Sequence, residues 1–382
     1  MPTAVNRFLV LVAFAVALFP GAARAIDLAD GKLVINGAGA GAFTITDGND
    51  VFNTELIGGH VGSFRNAEFN LFVAVKPMDR VTIVTLVFFD EIGQIETGLD
   101  WSFVEFLATD WLNIRAGEVK LPLGLSNEVE PIGTLRPFFA LPAAVYGPSS
   151  IAADTYFGVG LTGEIAVPGG YRLGYDLYGG NMSFDTSEPF SALIASQPSS
   201  VRGSAIAPVK ETVRNVLGGR LGLSTPVEGL NFRVSAYRGS LVDTSLEVLL
   251  LSAEYLNDRW SVRTEGYRSA QAAIGNINHG GYIEVAYHIT DAIQVAVQAD
   301  AMRTHRADVK DDSQFLYHRG VAFGLNYWFS PALVAKASLQ QIKGNRLAFP
   351  TLLADAIAIA KTNGTTISDE TLLFTGGLQF SF

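Results

Sequence analysis

The sequence contains no cysteine. A disulfide framework and a thiolate metal site are therefore excluded, although this alone does not set the compartment. Histidine is scarce as well, with five residues: His60, His279, His288, His305 and His318. Only His305 and His318 share a connector, and no carboxylate stands near them at a ligand spacing, so neither a metal nor any other cofactor is expected. Beyond the N-terminal segment there is no run of 18 apolar residues, which argues against a bundle of membrane helices. Positive charge is in deficit, with 27 Lys and Arg against 37 Asp and Glu. Phosphate contacts need clustered cations, so no nucleic-acid partner is expected. Charged residues are only 17% of the total, and the mean hydropathy of +0.26 is high for a soluble exported protein.

What is present begins with an export pattern. Arg7 precedes an apolar run from Phe8 to Phe19, followed by Pro20 and Ala23-Arg24-Ala25. This is the charged, apolar, A-x-A order of a secretory signal peptide, and the run is short for a membrane-spanning helix. Residues 1–25 are expected to be the signal and 26–382 the mature domain, a retained N-terminal anchor being the alternative.

Hydrophobicity in the mature chain has a period of two. Ile283, Val285, Tyr287 and Ile289 alternate with Tyr282, Glu284, Ala286 and His288, and Leu230, Phe232, Val234 and Ala236 with Asn231, Arg233, Ser235 and Tyr237. Strict alternation over eight residues predicts strands with unlike faces. The pattern predicts sixteen strands: 32–41, 67–75, 81–89, 99–107, 112–120, 156–167, 171–180, 214–224, 230–239, 246–255, 260–268, 281–289, 293–302, 319–329, 333–342 and 371–382. Alternation is least regular in 32–41 and 99–107. Seven short connectors carrying Pro77, Gly169, Pro226, Gly229, Asn257 and Pro331 alternate with eight mostly longer ones. Turns of the first kind and loops of the second characterise bacterial outer-membrane barrels.

The predicted fold class is all-β: a 16-stranded antiparallel transmembrane β-barrel with short periplasmic turns and long external loops, in the outer membrane of a Gram-negative bacterium. Trp101, Trp111, Trp260, Trp328, Tyr175, Tyr178, Tyr255, Tyr287, Tyr327, Phe329 and Phe382 would supply its interfacial girdles. A soluble β-sandwich is the alternative, but its wetted faces would carry more charge than these strands do.

Sixteen strands leave an interior too wide for side chains to fill, so a water-filled lumen is expected, with water satisfying the inward polar groups. Arg115, Arg172, Arg220, Arg233, Arg263 and Lys336 point inward against Glu68, Glu105, Glu164, Asp176, Glu254, Glu265, Glu284 and Asp300. Such a mixed wall suits a general hydrophilic lining better than a single-sign selectivity ring. Arg172, Arg220, Arg233, Arg263, Glu265 and Lys336 are the candidate pore wall, and the first three could form one basic patch if barrel shear brings them level.

The connector Leu121 to Thr155 is the longest, at 35 residues, and holds Phe138, Phe139, Leu141, Val145 and Tyr146 among five prolines. Apolar side chains must pack somewhere. Folding into the lumen would make this third loop a constriction, with Arg115, Lys120, Glu128, Glu130 and Arg136 as candidate lining residues. Folding over the rim or against a neighbouring subunit is the alternative.

The stretch "IRAGEVKLPLGLSNE" (Ile114 to Glu128), followed by "RPFF" and "VYGP", resembles the corresponding segment of the phosphate-selective porin O/P-like family of Gram-negative outer-membrane porins. Arg115, Gly117, Lys120, Pro122 and Gly124 occupy its R-x-G-x-x-K-x-P-x-G positions. The specific likeness is confined to residues 114–154. It implies a 16-stranded, usually trimeric porin with a constricting third loop, and hence a homotrimer among outer-membrane lipids and lipopolysaccharide, passing small hydrophilic solutes. Phosphate selection does not carry over, because this chain has only eight lysines.

Other chemistry is not evident. "GAGAGA" (Gly37 to Ala42) lacks the helix and acidic partner of a dinucleotide loop, and linear spacing assigns no Ser-His-Asp set. The chain is not expected to be an enzyme. Passive diffusion through an aqueous pore is the expected function, with a barrel-embedded hydrolase, or a non-conducting structural or adhesion barrel, as alternatives. In "TLLFTGGLQFSF", Leu372, Phe374, Leu378 and Phe380 would face lipid and Thr375, Gln379 and Ser381 the pore. Phe382 resembles the terminal aromatic read by the barrel assembly machinery.

Overall fold

The computed structural model describes residues 25–47, 62–91, 95–147, 151, 153–185, 210–241, 244–271, 276–305, 313–347 and 368–382. The expected signal segment lies outside the described residues except for Ala25. A three-residue strand, β1 (Ile26–Leu28), pairs with the start of β2 (Leu33–Thr46). The chain then continues through β3 (Ser63–Met78), β4 (Val81–Glu91), β5 (Ile95–Thr109), β6 (Leu112–Lys120), β7 (Thr155–Val167), β8 (Tyr171–Asp185) and β9 (Lys210–Ser224). The second half is β10 (Leu230–Leu241), β11 (Thr244–Leu256), β12 (Trp260–Gln271), β13 (Asn276–His288), β14 (Ile293–His305), β15 (Tyr317–Ser330), β16 (Leu333–Lys343) and β17 (Glu370–Ser381).

Each strand from β2 onward pairs antiparallel with the next, and β17 pairs with β2. The result is a closed barrel of sixteen strands without an edge. Closure is what lets a sheet cross hydrocarbon, since every backbone polar group within the wall finds a partner. All sixteen expected strands are present. They run several residues further than the alternation indicates, mostly toward the long-loop end.

Side-chain parity sorts the wall into two solvents. Leu249, Leu251, Phe323, Leu325, Leu372, Phe374 and Leu378 are exposed on the outer face. Their neighbours Ser252, Asn326, Thr375 and Gln379 are buried on the inner one. A continuous outward belt of bare apolar side chains is stable only against lipid, so the barrel spans a membrane. At the short-turn end Trp260 lies 4.5 Å from Tyr287 and Tyr327 lies 4.9 Å from Phe329, ring centroid to centroid. Trp101 and Tyr178 depart from the expected girdles: both are buried inside the barrel.

The seam explains two sequence oddities at once. Phe382 exchanges both backbone hydrogen bonds with Gly37, at 2.8 and 3.0 Å. Its ring occupies the place a Cβ on Gly37 would need, and the Phe380 ring does the same at Gly39. Both rings stack on Phe69, at 6.5 and 6.3 Å. Gly37 and Gly39 of "GAGAGA" are thus the recess into which Phe382 and Phe380 fold. Gly39→Val should lower barrel stability by roughly 1–3 kcal/mol through overpacking, because the Glu68 carbonyl stands only 3.1 Å from the added carbon. Heat-modifiable mobility of the variant on detergent gels checks this, and an unchanged unfolding temperature would contradict it.

Candidate functional site

The described residues of the third loop, 121–147, 151, 153 and 154, lie inside the barrel. Two glycines of the sequence motif make this path possible. Gly117 on β6 has φ of +130°, with the Ser102 carbonyl 2.6 Å from where a Cβ would sit. Gly124 has φ of +62°, and a Cβ there would meet Glu265, Tyr146 and Leu250 within 3 Å. Side chains rarely adopt this left-handed region and have no space here. The backbone can therefore turn off β6 and press directly on the far wall.

Packing then holds the loop. Leu121, Leu123 and Val145 are fully buried. They join Trp101, Phe103, Tyr156, Tyr178, Tyr237, Leu250, Tyr267 and Tyr282 in one cluster within the lumen. Burial of each large apolar side chain contributes on the order of 2 kcal/mol, which favours the interior over a wetted rim. A short helix, α1 (Ala143–Tyr146), sets Ala143 against Met302, Ile342 and Leu373, while Phe138 packs on Ala286, Ala296 and Ala322.

Polar contacts fix the register around the wall. Asn70 on β3 donates to the Pro131 carbonyl, Gln379 on β17 to Phe139, and Asn326 on β15 to Pro137. Lys336 on β16 donates to the carbonyls of Gly133 (2.8 Å), Arg136 (2.5 Å) and Phe138 (3.4 Å). Asp300 on β14 accepts the Ala144 amide at 3.0 Å and also bonds His318 at 2.9 Å. Glu265 on β12 accepts from four donors: the Leu125 amide and the hydroxyls of Tyr146, Ser252 and Tyr282. Burial and the neighbouring Glu265 carboxylate push the Tyr146 phenol well above its ordinary value, so it remains a donor.

The inward polar groups at this level therefore find partners in the loop backbone and in one another. This corrects the expectation that water alone satisfies them. A loop of irregular backbone brought into a closed space must have its carbonyls and amides paired, and the wall supplies the donors and acceptors.

The candidate constriction residues separate into two groups. Arg115 lies on the open wall, bonded to Glu105 at 2.7 Å and 5.3 Å from the Phe103 ring centroid. Glu128 meets Arg220 at 2.5 Å and keeps about a third of its side chain exposed. Glu130 is 3.6 Å from Lys120 and is 44% exposed. Arg136 spans the loop, donating to the carbonyls of Glu130 and Phe139. Lys120 is buried, held by Asp154, Asp100 and Glu130, and so is an anchor at the root of the loop.

The wall set divides similarly. Arg220 and Arg233 converge on the Gly124 carbonyl, and Arg220 also pairs with Asp176. Arg233 and Arg263 share Glu254, and Arg263 reaches Glu284 and the Leu135 carbonyl. Arg172 stands apart beside Glu164 toward the short-turn end, so the three arginines do not form one level patch. Glu265 and Lys336 are buried beneath the loop. Sequence reasoning missed Asn326, Gln379 and Ser235, which accepts the Gly124 amide at 3.1 Å, as wall anchors of the loop. Their only signal is polar character on the inward parity.

No family model matches the chain, and no curated protein does. Solved structures do resemble it. OmpT, an outer-membrane protein of Vibrio cholerae, superposes with a TM-score of 0.56 at 12% identity, covering 93% of this chain and 100% of that one. An anion-selective porin from Comamonas acidovorans gives 0.53 at 11%, covering 92% and 99%. The outer-membrane channel DcaP of Acinetobacter baumannii gives 0.53 at 7%, covering 92% and 97%. The shared feature is the fold, which is that of outer-membrane β-barrels.

Proposed function

We propose that this barrel is an outer-membrane porin in which the third loop narrows an aqueous passage for small hydrophilic solutes or ions. The observation that carries the reading is the state of the inward charges the loop leaves uncovered. The barrel is closed, so an inward side chain that remains exposed faces space within the lumen. Arg115 and Glu105 are each 25% exposed. With Glu128 and Glu130 on the loop, these polar groups mark a wetted path beside a dry, packed one.

Pairing of Arg115, Arg172, Arg220, Arg233 and Arg263 with carboxylates supports weak ion selectivity rather than phosphate selection. This separates the chain from the phosphate-selective porin O/P-like family, whose motif Arg115, Gly117, Lys120, Pro122 and Gly124 resemble. A barrel-embedded hydrolase has less support: His318 bonds Asp300 and His288 bonds Gln294, and neither contact supplies a hydroxyl nucleophile. A homotrimer is part of the proposal, supported by the OmpT neighbour, which is known in a trimer form. Phe382 serves in it as the signal for the assembly machinery, in keeping with its place at the seam.

Arg136→Ala tests the constriction. It removes the bridge between Glu130 and Phe139, so single-channel current in planar bilayers should become noisier and larger. Unaltered traces would place the narrow point away from this part of the loop.

A further inference from the structure

Inside the closed barrel the third loop presents bare apolar side chains. Val129 and Leu135 each end a short 3-10 turn and are 37% and 50% exposed. Ile132 between them is half-buried. This segment is tied to three parts of the wall: Asn70 on β3 donates to Pro131, Thr134 bonds Ser381 on β17 at 3.1 Å, and Arg263 on β12 donates to Leu135. Its exposed side chains are thus remote from lipid and face the lumen. The wall around them has two characters. Val34, Ala74, Val84 and Phe103 are cross-strand neighbours in one row over β2–β5. Phe103 belongs to the lumenal cluster and Val84 packs on it, so the row faces inward, and it carries no charge. Half a circuit away, on β10–β13, Arg233, Glu254, Arg263 and Glu284 form one chain of ion pairs. The guanidiniums are its more exposed members: Arg233 28% against 10% for Glu254, and Arg263 15% against 4% for Glu284.

We propose that the passage binds small organic anions in which one carboxylate is carried on an apolar body, aromatic or branched aliphatic. This rests on the porin reading and names a solute class for it. Apolar side chains kept in water cost free energy, which a hydrocarbon body laid over Val129 and Leu135 recovers. Apolar surface with a few polar groups converging on it is the usual composition of a small-molecule site. The carboxylate turns to the guanidiniums of Arg233 and Arg263, whose geometry matches it. Glu128 and Glu130 flank Val129, so the charged end points away from them, toward β10–β12. A solute with an ammonium in place of the carboxylate meets guanidinium first and is disfavoured. Inorganic ions have no hydrocarbon to bury, so the same wall distinguishes them only weakly.

The test is block of the potassium chloride current of the full barrel in planar bilayers, titrated with benzoate, with gluconate and with benzylamine. Benzoate should reduce the current saturably, at concentrations about tenfold below those of the other two. Gluconate keeps the carboxylate without the apolar body, and benzylamine keeps the body with the opposite charge. Val129→Ser/Leu135→Ser removes the apolar surface at two exposed positions and leaves every charge in place. It should raise the half-blocking benzoate concentration about fivefold or more. Benzoate and gluconate blocking alike, benzylamine blocking as well as benzoate, or unchanged benzoate block in the double variant each overturns the proposal. The comparison of the three solutes on wild type decides it alone if the double variant fails to fold. Channels that conduct chloride while benzoate has no advantage refute this site only, whereas silent wild-type bilayers in chloride refute the porin reading itself.

Discussion

Glu265→Ala is expected to release the start of the third loop and raise single-channel conductance several-fold, with frequent switching between levels. Four donors converge on this carboxylate, two of them from the loop: the Leu125 amide and the Tyr146 hydroxyl. Each donor left unpaired in a buried site costs about 1–3 kcal/mol, so the bound position loses its advantage even if water enters. The barrel should persist, because Glu265 contributes no backbone pairing beyond that of any strand residue. Glu265→Gln is the informative companion. It keeps the shape but turns an NH2 group toward donors, so it should loosen the loop less than alanine does while still shifting conductance. Both variants conducting as wild type would show that Glu265 does not hold the loop.

Lys336→Met is expected to free the middle of the same loop. A single side-chain nitrogen donates to the carbonyls of Gly133, Arg136 and Phe138, and methionine fills similar volume without a donor. A loss of about 2–4 kcal/mol in the bound loop position follows from three carbonyls left without their partner. Limited proteolysis should then cut within 131–139, which wild type resists, and current noise should rise. Resistance equal to wild type would mean that Asn326 and Gln379 suffice. Glu265 and Lys336 grip separate parts of the loop. Combining the two changes should exceed either alone, since each releases a different stretch.

How far these conclusions were open to sequence reasoning depends on the range of the interaction. Strand positions follow from alternation between neighbouring residues, which is why all sixteen were legible. The irregular strands have identifiable causes. In 99–107 the register shifts against β4 at Leu86 and Val87, opposite the segment that contains Asp100, and this breaks the alternation. In 32–41 the outward positions Gly37 and Gly39 carry no side chain because Phe382 and Phe380 cover them. The inward course of the third loop was legible from its apolar residues. The fate of individual charges was not. Lys336 meets carbonyls about 200 positions away along the chain, and Glu265 meets Tyr146 across 119. Inward parity marks such a residue as lumenal, but only the fold decides whether it meets water or backbone. Lys120 illustrates this: its motif position suggested a pore lining, and its contacts make it an anchor.

The central claim is that a closed barrel encloses an aqueous path narrowed by a pinned loop. Single-channel recording in planar bilayers under a salt gradient tests it most directly. Stable, ohmic conductance steps with a small reversal potential are expected, because lumen cations such as Arg115, Arg220 and Arg263 are matched by carboxylates. Bilayers that stay silent while the inserted protein remains folded and heat-modifiable would contradict the account.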